Sequence, residues 1–338
     1  MRLSKYIVLL ILVVTLSSCD SKESKIPLVI YNGEDPYIAS FEDKIIQNAE
    51  GLFEIESYDS QNSQLIQNEI IDELIEQNPK VLIINPVDRL GVYTIIEKAK
   101  AANIPVIFFN REPLEEDLNV WNYALYVGAL DEESAQIQAE MVMELFGSVN
   151  ELTDLDKNDD NQIQLLILKG EQGHQAAEKR TSEIIRVLEN NGYTLDILSI
   201  EVCDWNRDIA NLFVQEFLPE HPELELVVSN NDAMALGAID AMIDAEFMVD
   251  LNEDGYYEQG VDQWIPVLGI DALEEAIPYL ENGSLYGTVL NDSEEMAKVI
   301  IELAEAIING EDPNGISYDI VNNNFVWVPY QRFELEED

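Results

Sequence analysis

The stretch VLIINPVDRLGVYTIIEKAKAANIPVIFFN, Val81 to Asn110, decides the fold. Val81 to Ile84 is an apolar β-rich run, Val92 to Ala101 carries apolar residues at helical spacing, and Pro105 to Phe109 is a second apolar run. Strand, helix, strand is the pattern of a parallel sheet. Working outward, Pro27 to Tyr31 and Leu52 to Tyr58 are earlier strands, with Leu65 to Ile75 helical. The alternation resumes at Leu165 to Leu168, Leu195 to Ile200, Leu226 to Ser229 and Pro266 to Ile270, with helical stretches such as Ala177 to Leu188 and Ala233 to Ala241 between them. Two α/β lobes of similar size are expected, and 338 residues suffice for a sizeable core.

Composition narrows the partners. Eighteen Lys and Arg face 67 Asp and Glu, a formal charge of −49. Such an excess repels phosphate backbones, and no basic cluster offsets it, which excludes nucleic-acid binding. Because 47% of residues are hydrophobic and spread along the chain, the acidity decorates a folded body and does not signal disorder.

The first residues read as a targeting segment. Arg2 and Lys5 precede an apolar run, Tyr6 to Leu16, that is too short to span a bilayer, so residues 1–18 are expected to be a cleaved export signal. Leu16-Ser17-Ser18-Cys19 resembles the lipobox of bacterial lipoproteins, which makes Cys19 the expected lipidation site and 19–25 a short polar tether. The protein is then extracytoplasmic and held to the membrane by lipid alone. Only Cys203 is left, too few thiols for a disulfide framework.

Open parallel sheets bind ligands beyond the carboxyl ends of their strands. Asn110 follows one apolar run, Asn230 and Asn231 another, Asp271 follows Ile270, and Asn291 follows Leu290. Amides and carboxylates together offer donors and acceptors, which matches a polyhydroxyl ligand whose hydroxyls do both. Tyr37 and Trp205, each just past a strand, offer flat apolar faces for a pyranose ring. His174 and Arg180, at the start of a helical stretch, add donors. No phosphate-binding glycine loop, GxSxG, HExxH or CxxC occurs.

Ile30-Tyr31, IPVIFFNREP (104–113), KGEQGHQAAEKR (169–180), NNDAMALG (230–237), IPVLGIDAL (265–273) and GTVLND (287–292) together resemble the galactose/glucose-binding protein family of periplasmic sugar receptors. The likeness runs from about Pro27 to Tyr330. It implies the type I periplasmic binding protein fold: two doubly wound parallel-sheet lobes joined by a three-segment hinge near Gly128 to Leu130, Asn291 to Ser293 and Val326 to Val328. The N-terminal lobe would hold 26–128 plus 293–326, and the C-terminal lobe 129–292 plus 327–338. It further implies sugar contacts from Asp35, Asn110, His174, Arg180, Asn231, Asp271 and Asn291, with Tyr37 and Trp205 stacking on opposite ring faces. Tyr37 stands where the family has Phe, and Ala176 stands where it has an acidic ligand residue. The lost hydrogen bond to a charged group is worth about 1.5–3 kcal/mol.

A cation loop is legible separately. Asp156, Asn158 and Asp160 occupy positions 1, 3 and 5 of an EF-hand-like loop, with the Gln162 carbonyl at 7 and Gln164 at 9, all oxygen donors suited to Ca²⁺. Position 12 is Ile167, inside a strand, so the bidentate carboxylate must come from elsewhere, and the family resemblance points to Glu225. Asp250, Asn252 and Asp254 begin a second such loop, whose position 12 is Val261. The first would hold a structural Ca²⁺, and the second is a weaker candidate.

The function expected is a monomeric lipoprotein that binds galactose or glucose between two lobes, without chemistry, and delivers it to an ABC permease. One alternative is a sensory receptor presenting the sugar to a chemoreceptor or kinase. Another is a glycosidase using paired carboxylates, which the amide-rich strand ends disfavour because amides do no acid–base work. The export signal and the lack of a basic helix-turn-helix exclude a gene regulator.

Overall fold

The computed structural model describes residues 25–322 and 324–335. The export signal and Cys19 lie outside the described residues. The first half runs β1 (Ile26–Ile30), α1 (Pro36–Ala49), β2 (Ile55–Asp59), α2 (Gln64–Gln77), β3 (Leu82–Ile84), α3 (Val92–Ala102), β4 (Val106–Phe109) and β5 (Ala124–Gly128). The second half runs α4 (Asp131–Phe146), β6 (Ile163–Lys169), α5 (Gln175–Asn190), β7 (Leu195–Val202), α6 (Arg207–Phe217), β8 (Leu226–Ser229), α7 (Asp232–Asp244), β9 (Val267–Leu268) and β10 (Val289–Leu290). The chain then closes with α8 (Ser293–Asn309), β11 (Phe325–Trp327) and β12 (Gln331–Arg332).

A six-stranded parallel sheet has the order β11-β5-β4-β3-β1-β2, and a four-stranded parallel sheet the order β9-β8-β6-β7. Each sheet starts on an inner strand, steps outward once and then reverses past its start, so each has a switch point at which loops diverge and leave a crevice. The inner strands β1, β4 and β6 are buried along their whole length, as strands covered by helices on both faces must be. The edge strands β2 and β7 are largely half-exposed.

Three passages link the lobes. β5 leads through Ala129 and Leu130 into α4; β10 leads through Asn291 and Asp292 into α8, whose start returns to α1 through a Lys44 Nζ to Ser293 Oγ bond of 2.8 Å; and β11 leads to β12. β11 pairs with β5 up to Trp327 against Gly128, whereas β12 pairs antiparallel with β10. The Val328 amide donates to the Gly128 carbonyl at 2.8 Å, which ties two of the passages together.

Most apolar runs became strands close to their expected bounds. β5 was not foreseen, because only the single turn Glu115–Leu118 separates it from β4 and the helical punctuation is missing. The run at Pro266–Ile270 shortens to two paired residues, because Ile270 already leads into Asp271 and Ala272, both at positive φ. Cys203 is fully buried and its thiol is pushed up to about 12 by burial, so it is an inert core side chain.

Candidate functional site

The loops at the carboxyl ends of the two sheets face one another across a cavity. All nine strand-end and helix-start residues singled out above line it: Asp35, Tyr37, Asn110, His174, Arg180, Trp205, Asn231, Asp271 and Asn291. Tyr31, Ile38 and Ala176 complete the wall.

Backbone conformation aims several of these side chains. Asn110, Trp205 and Asp271 have φ of 61°, 63° and 116°, a region L-residues rarely occupy and one that concentrates at ligand sites. Helix caps fix others. The Asp35 Oδ1 accepts the amides of Tyr37 (2.9 Å) and Ile38 (3.2 Å) at the start of α1, and Pro36 occupies the first helical position. The Asn231 Oδ1 accepts the Met234 amide (3.0 Å) at the start of α7, and its Nδ2 donates to the Trp205 carbonyl (3.3 Å). The Nδ1 of His174 accepts the Ala176 amide at 3.2 Å at the start of α5, so a neutral imidazole carries its proton on Nε2.

Electrostatics sharpen the set. Burial, then the charges of Arg111, Arg180 and Arg89, hold His174 well below its ordinary pKa, so it is neutral and a fixed donor. Arg180 is 5% exposed and donates Nη1 to the Asn230 carbonyl (2.6 Å) and Nη2 to the Tyr330 hydroxyl (2.7 Å). Its buried Nε has no partner within the protein. Burial pushes Asp271 up to about 7 against the pull of Arg180, and Asn291 Nδ2 donates to its Oδ1 at 3.2 Å. Burial also raises Asp35, despite the hydrogen bond it accepts from the Tyr31 hydroxyl. The rings are held edge-on: Trp205 meets His174 at 5.1 Å and Tyr37 meets Phe41 at 5.9 Å. Gly170 is required beneath Trp205, since an added Cβ would lie 2.3 Å from the ring.

Residues missed in the sequence serve this wall. Tyr31 follows β1 as Asn110 follows β4, so the strand-end rule reaches it, yet its aromatic character hid it among core residues. Tyr330, the partner of Arg180, comes from the last crossing segment and has no local signal. Asn85, buried after β3, donates to the Asn110 Oδ1 (3.2 Å) and the Phe109 carbonyl (3.1 Å), fixing Asn110 from behind.

The cation loop lies away from this cavity, before and within β6. The Asp156 carboxylate accepts the amides of Asp160 (3.2 Å) and Asn161 (2.8 Å), and Asp160 Oδ1 accepts that of Gln162 (2.8 Å). Glu225, fully buried and pushed up to about 7 by burial, accepts the amides of Lys157 (2.6 Å) and Gln164 (3.3 Å). The Gln164 Oε1 is buried without a partner. The donor set is therefore all oxygen with one orphan acceptor, which fits a hard cation by chemistry. Among the described residues no three acidic, His or Cys side chains are drawn together tightly enough to hold a metal ion.

The second loop repeats this network. Asp250 accepts the amides of Asp254 (3.3 Å) and Gly255 (2.7 Å), and Asp254 accepts that of Tyr256 (3.0 Å). Asp262 accepts the amides of Leu251 (2.8 Å) and Glu258 (2.9 Å), the same loop positions that Glu225 takes in the first loop. Asp262 was not foreseen, because it stands one residue past the position that Val261 fills.

The family model described as a periplasmic binding protein domain matches residues 26–312. The chain belongs to this family. Like other periplasmic binding proteins it is a solute-binding protein and not an enzyme, and the fold is the two-lobed type I fold. The chain is 33% identical over 319 residues to the D-galactose/methyl-galactoside binding periplasmic protein MglB of Haemophilus influenzae, covering 93% of this chain and 90% of that one. It is 23% identical over 296 residues to the ribose import binding protein RbsB of Bacillus subtilis, covering 87% and 85%. Among solved structures, an ABC transporter solute binding protein from Bacillus halodurans with bound myo-inositol matches at TM-score 0.74 and 25% identity, covering 94% of this chain and 96% of that one. A periplasmic counterpart from Actinobacillus succinogenes with bound D-allose shares the fold at TM-score 0.75 and 18% identity, covering 92% and 97%. No helix among the described residues is long and apolar enough to cross a membrane.

Proposed function

We propose that this periplasmic sugar-binding protein of an ABC importer encloses one molecule of galactose or glucose between its lobes and hands it to the membrane permease. The observation that carries the reading is the meeting of residues from both lobes on one cavity: Asp35, Tyr37 and Asn110 from one, His174, Arg180, Trp205, Asn231 and Asp271 from the other, and Asn291 at the crossing. Amide, guanidinium and imidazole donors alternate there with carboxylate acceptors, the pattern a ring of hydroxyls needs. Tyr37 and Trp205 cover the two faces of the pyranose. The similarity to a protein named for D-galactose supports the hexose over a pentose. Contacts from both lobes favour the closed form, and the permease distinguishes loaded from empty receptor by that difference. Calorimetric titration with galactose, glucose and ribose tests the assignment. A hexose is expected to bind at one site with a change in tryptophan fluorescence, and absence of heat with both hexoses refutes it.

The loop from Asp156 to Gln164, with Glu225, is read as a structural Ca²⁺ site, and the loop that begins with Asp250, Asn252 and Asp254 as a second one. Support comes from the oxygen-only donors and the orphan Gln164 acceptor. Cys19 is read as the lipid anchor on the strength of the preceding charged and apolar run. Mass spectrometry of the mature N-terminus should find an acylated Cys19, and an intact residue 1–18 segment contradicts it.

A further inference from the structure

Asn110 has a φ of 61°, and β5 holds the backbone that keeps it there. The Asn110 amide donates to the Val127 carbonyl at 3.3 Å, and its carbonyl accepts the Tyr126 hydroxyl at 2.8 Å. Asn85 secures the side-chain end of the same residue, so the peptide end depends on β5. A non-glycine residue stays in the left-handed region only where its surroundings over-determine it, and the Tyr126 hydroxyl is one of the few groups doing so here.

Tyr126 is not among the residues that line the cavity. It is 1% exposed, and its ring is held edge-on by Phe325 at 5.9 Å and Trp327 at 5.5 Å. Alternation along β5 puts Tyr126 and Gly128 on one face, two residues apart. A Cβ added at Gly128 would lie 2.0 Å from the Tyr126 hydroxyl oxygen, so the hydroxyl fits only because residue 128 has no side chain. Gly128 ends β5 where the first passage between the lobes begins, and Trp327 ends β11 where the last one begins. One buried side chain therefore touches the cavity residue Asn110 and the roots of two of the three passages.

We propose that Tyr126 is a positioning residue for sugar binding: without touching the sugar, it fixes Asn110 in its binding conformation and ties that conformation to the Gly128 and Trp327 ends of the passages on which closure turns. The inference rests on the reading of the cavity as the sugar site.

A double-mutant cycle on the full chain, read by calorimetry with galactose and glucose, tests this. Tyr126→Phe keeps the packed ring and removes only the hydroxyl, and should weaken the bound hexose about fivefold. Asn110→Gly removes the amide and leaves a residue that adopts the left-handed backbone unaided, so in that background Tyr126→Phe should cost nothing further. Gly128→Ala keeps the tyrosine but crowds its hydroxyl off the Asn110 carbonyl, and should show the same dependence on Asn110. Equal losses in both backgrounds mark a general loosening of the core and overturn the proposal. Unchanged hexose affinity in Tyr126→Phe and Gly128→Ala overturns it as well. If the parent chain binds neither hexose, the cavity assignment fails and this inference with it.

Discussion

Asn231 holds a helix with one end of its amide and offers a donor near the cavity with the other. Asn231→Asp keeps the capping oxygen and loses the donor, so the melting temperature should hold while hexose affinity falls about tenfold. Unchanged affinity would remove Asn231 from the site. Asp271 gives a pH signature. Its pKa rises from 3.8 to about 7 on folding, so the native state holds a proton that the unfolded chain releases. That contribution to stability is complete below about pH 4 and is lost as pH rises through about 7. The sugar-free protein should therefore melt lower at pH 7.5 than at pH 5, and Asp271→Asn should flatten the slope; a melting temperature that rises over this interval contradicts the burial of Asp271. At this scale the sequence was most legible where a polar residue directly ended an apolar strand, as at Asn110 and Asn231. It was silent for Tyr330, whose role depends on a hydrogen bond to Arg180 across 150 positions of chain.

At the scale of elements, α7 packs on α6 through Gly237. A Cβ there would lie 2.2 Å from the Arg207 carbonyl oxygen, a backbone atom that cannot swing away. Alanine improves helix propensity by about 1 kcal/mol, yet forced overpacking costs about 1–3 kcal/mol, and immovable backbone puts this case at the upper end. Gly237→Ala should lower the melting temperature by several degrees, and a rise would show that the helices separate freely. The cation loops make a second prediction. A chelator should lower the melting temperature, and Glu225→Gln should remove most of the response, because its two backbone bonds tie the loop to β8. No response to chelator in the parent chain contradicts the Ca²⁺ reading. Strand and helix were readable here because inner strands are dominated by apolar residues and helices carry a 3.6-residue period. β5 escaped notice because the punctuating helix before it is one turn long.

Across the whole molecule, the lobes also meet through charges at the rim of the crevice. Arg111 pairs with Glu171 at 2.9 Å and Lys179 with Glu112 at 3.8 Å, with Glu171 well exposed. The Lys179–Glu112 pair is partly exposed on both sides and contributes about 0–1 kcal/mol, whereas Arg111 is buried and only its partner Glu171 reaches solvent. On the function proposed above, closure is assigned to the sugar, through the residues that both lobes bring to the cavity. The strand orders were not legible in the sequence, because register and crossover depend on contacts between distant segments such as β11 against β5. Small-angle X-ray scattering with and without saturating galactose or glucose tests the central claim most directly. A clear decrease in the radius of gyration on adding the hexose that calorimetry shows to bind is the result expected. Binding of that hexose with an unchanged scattering profile would contradict a site shared between two closing lobes.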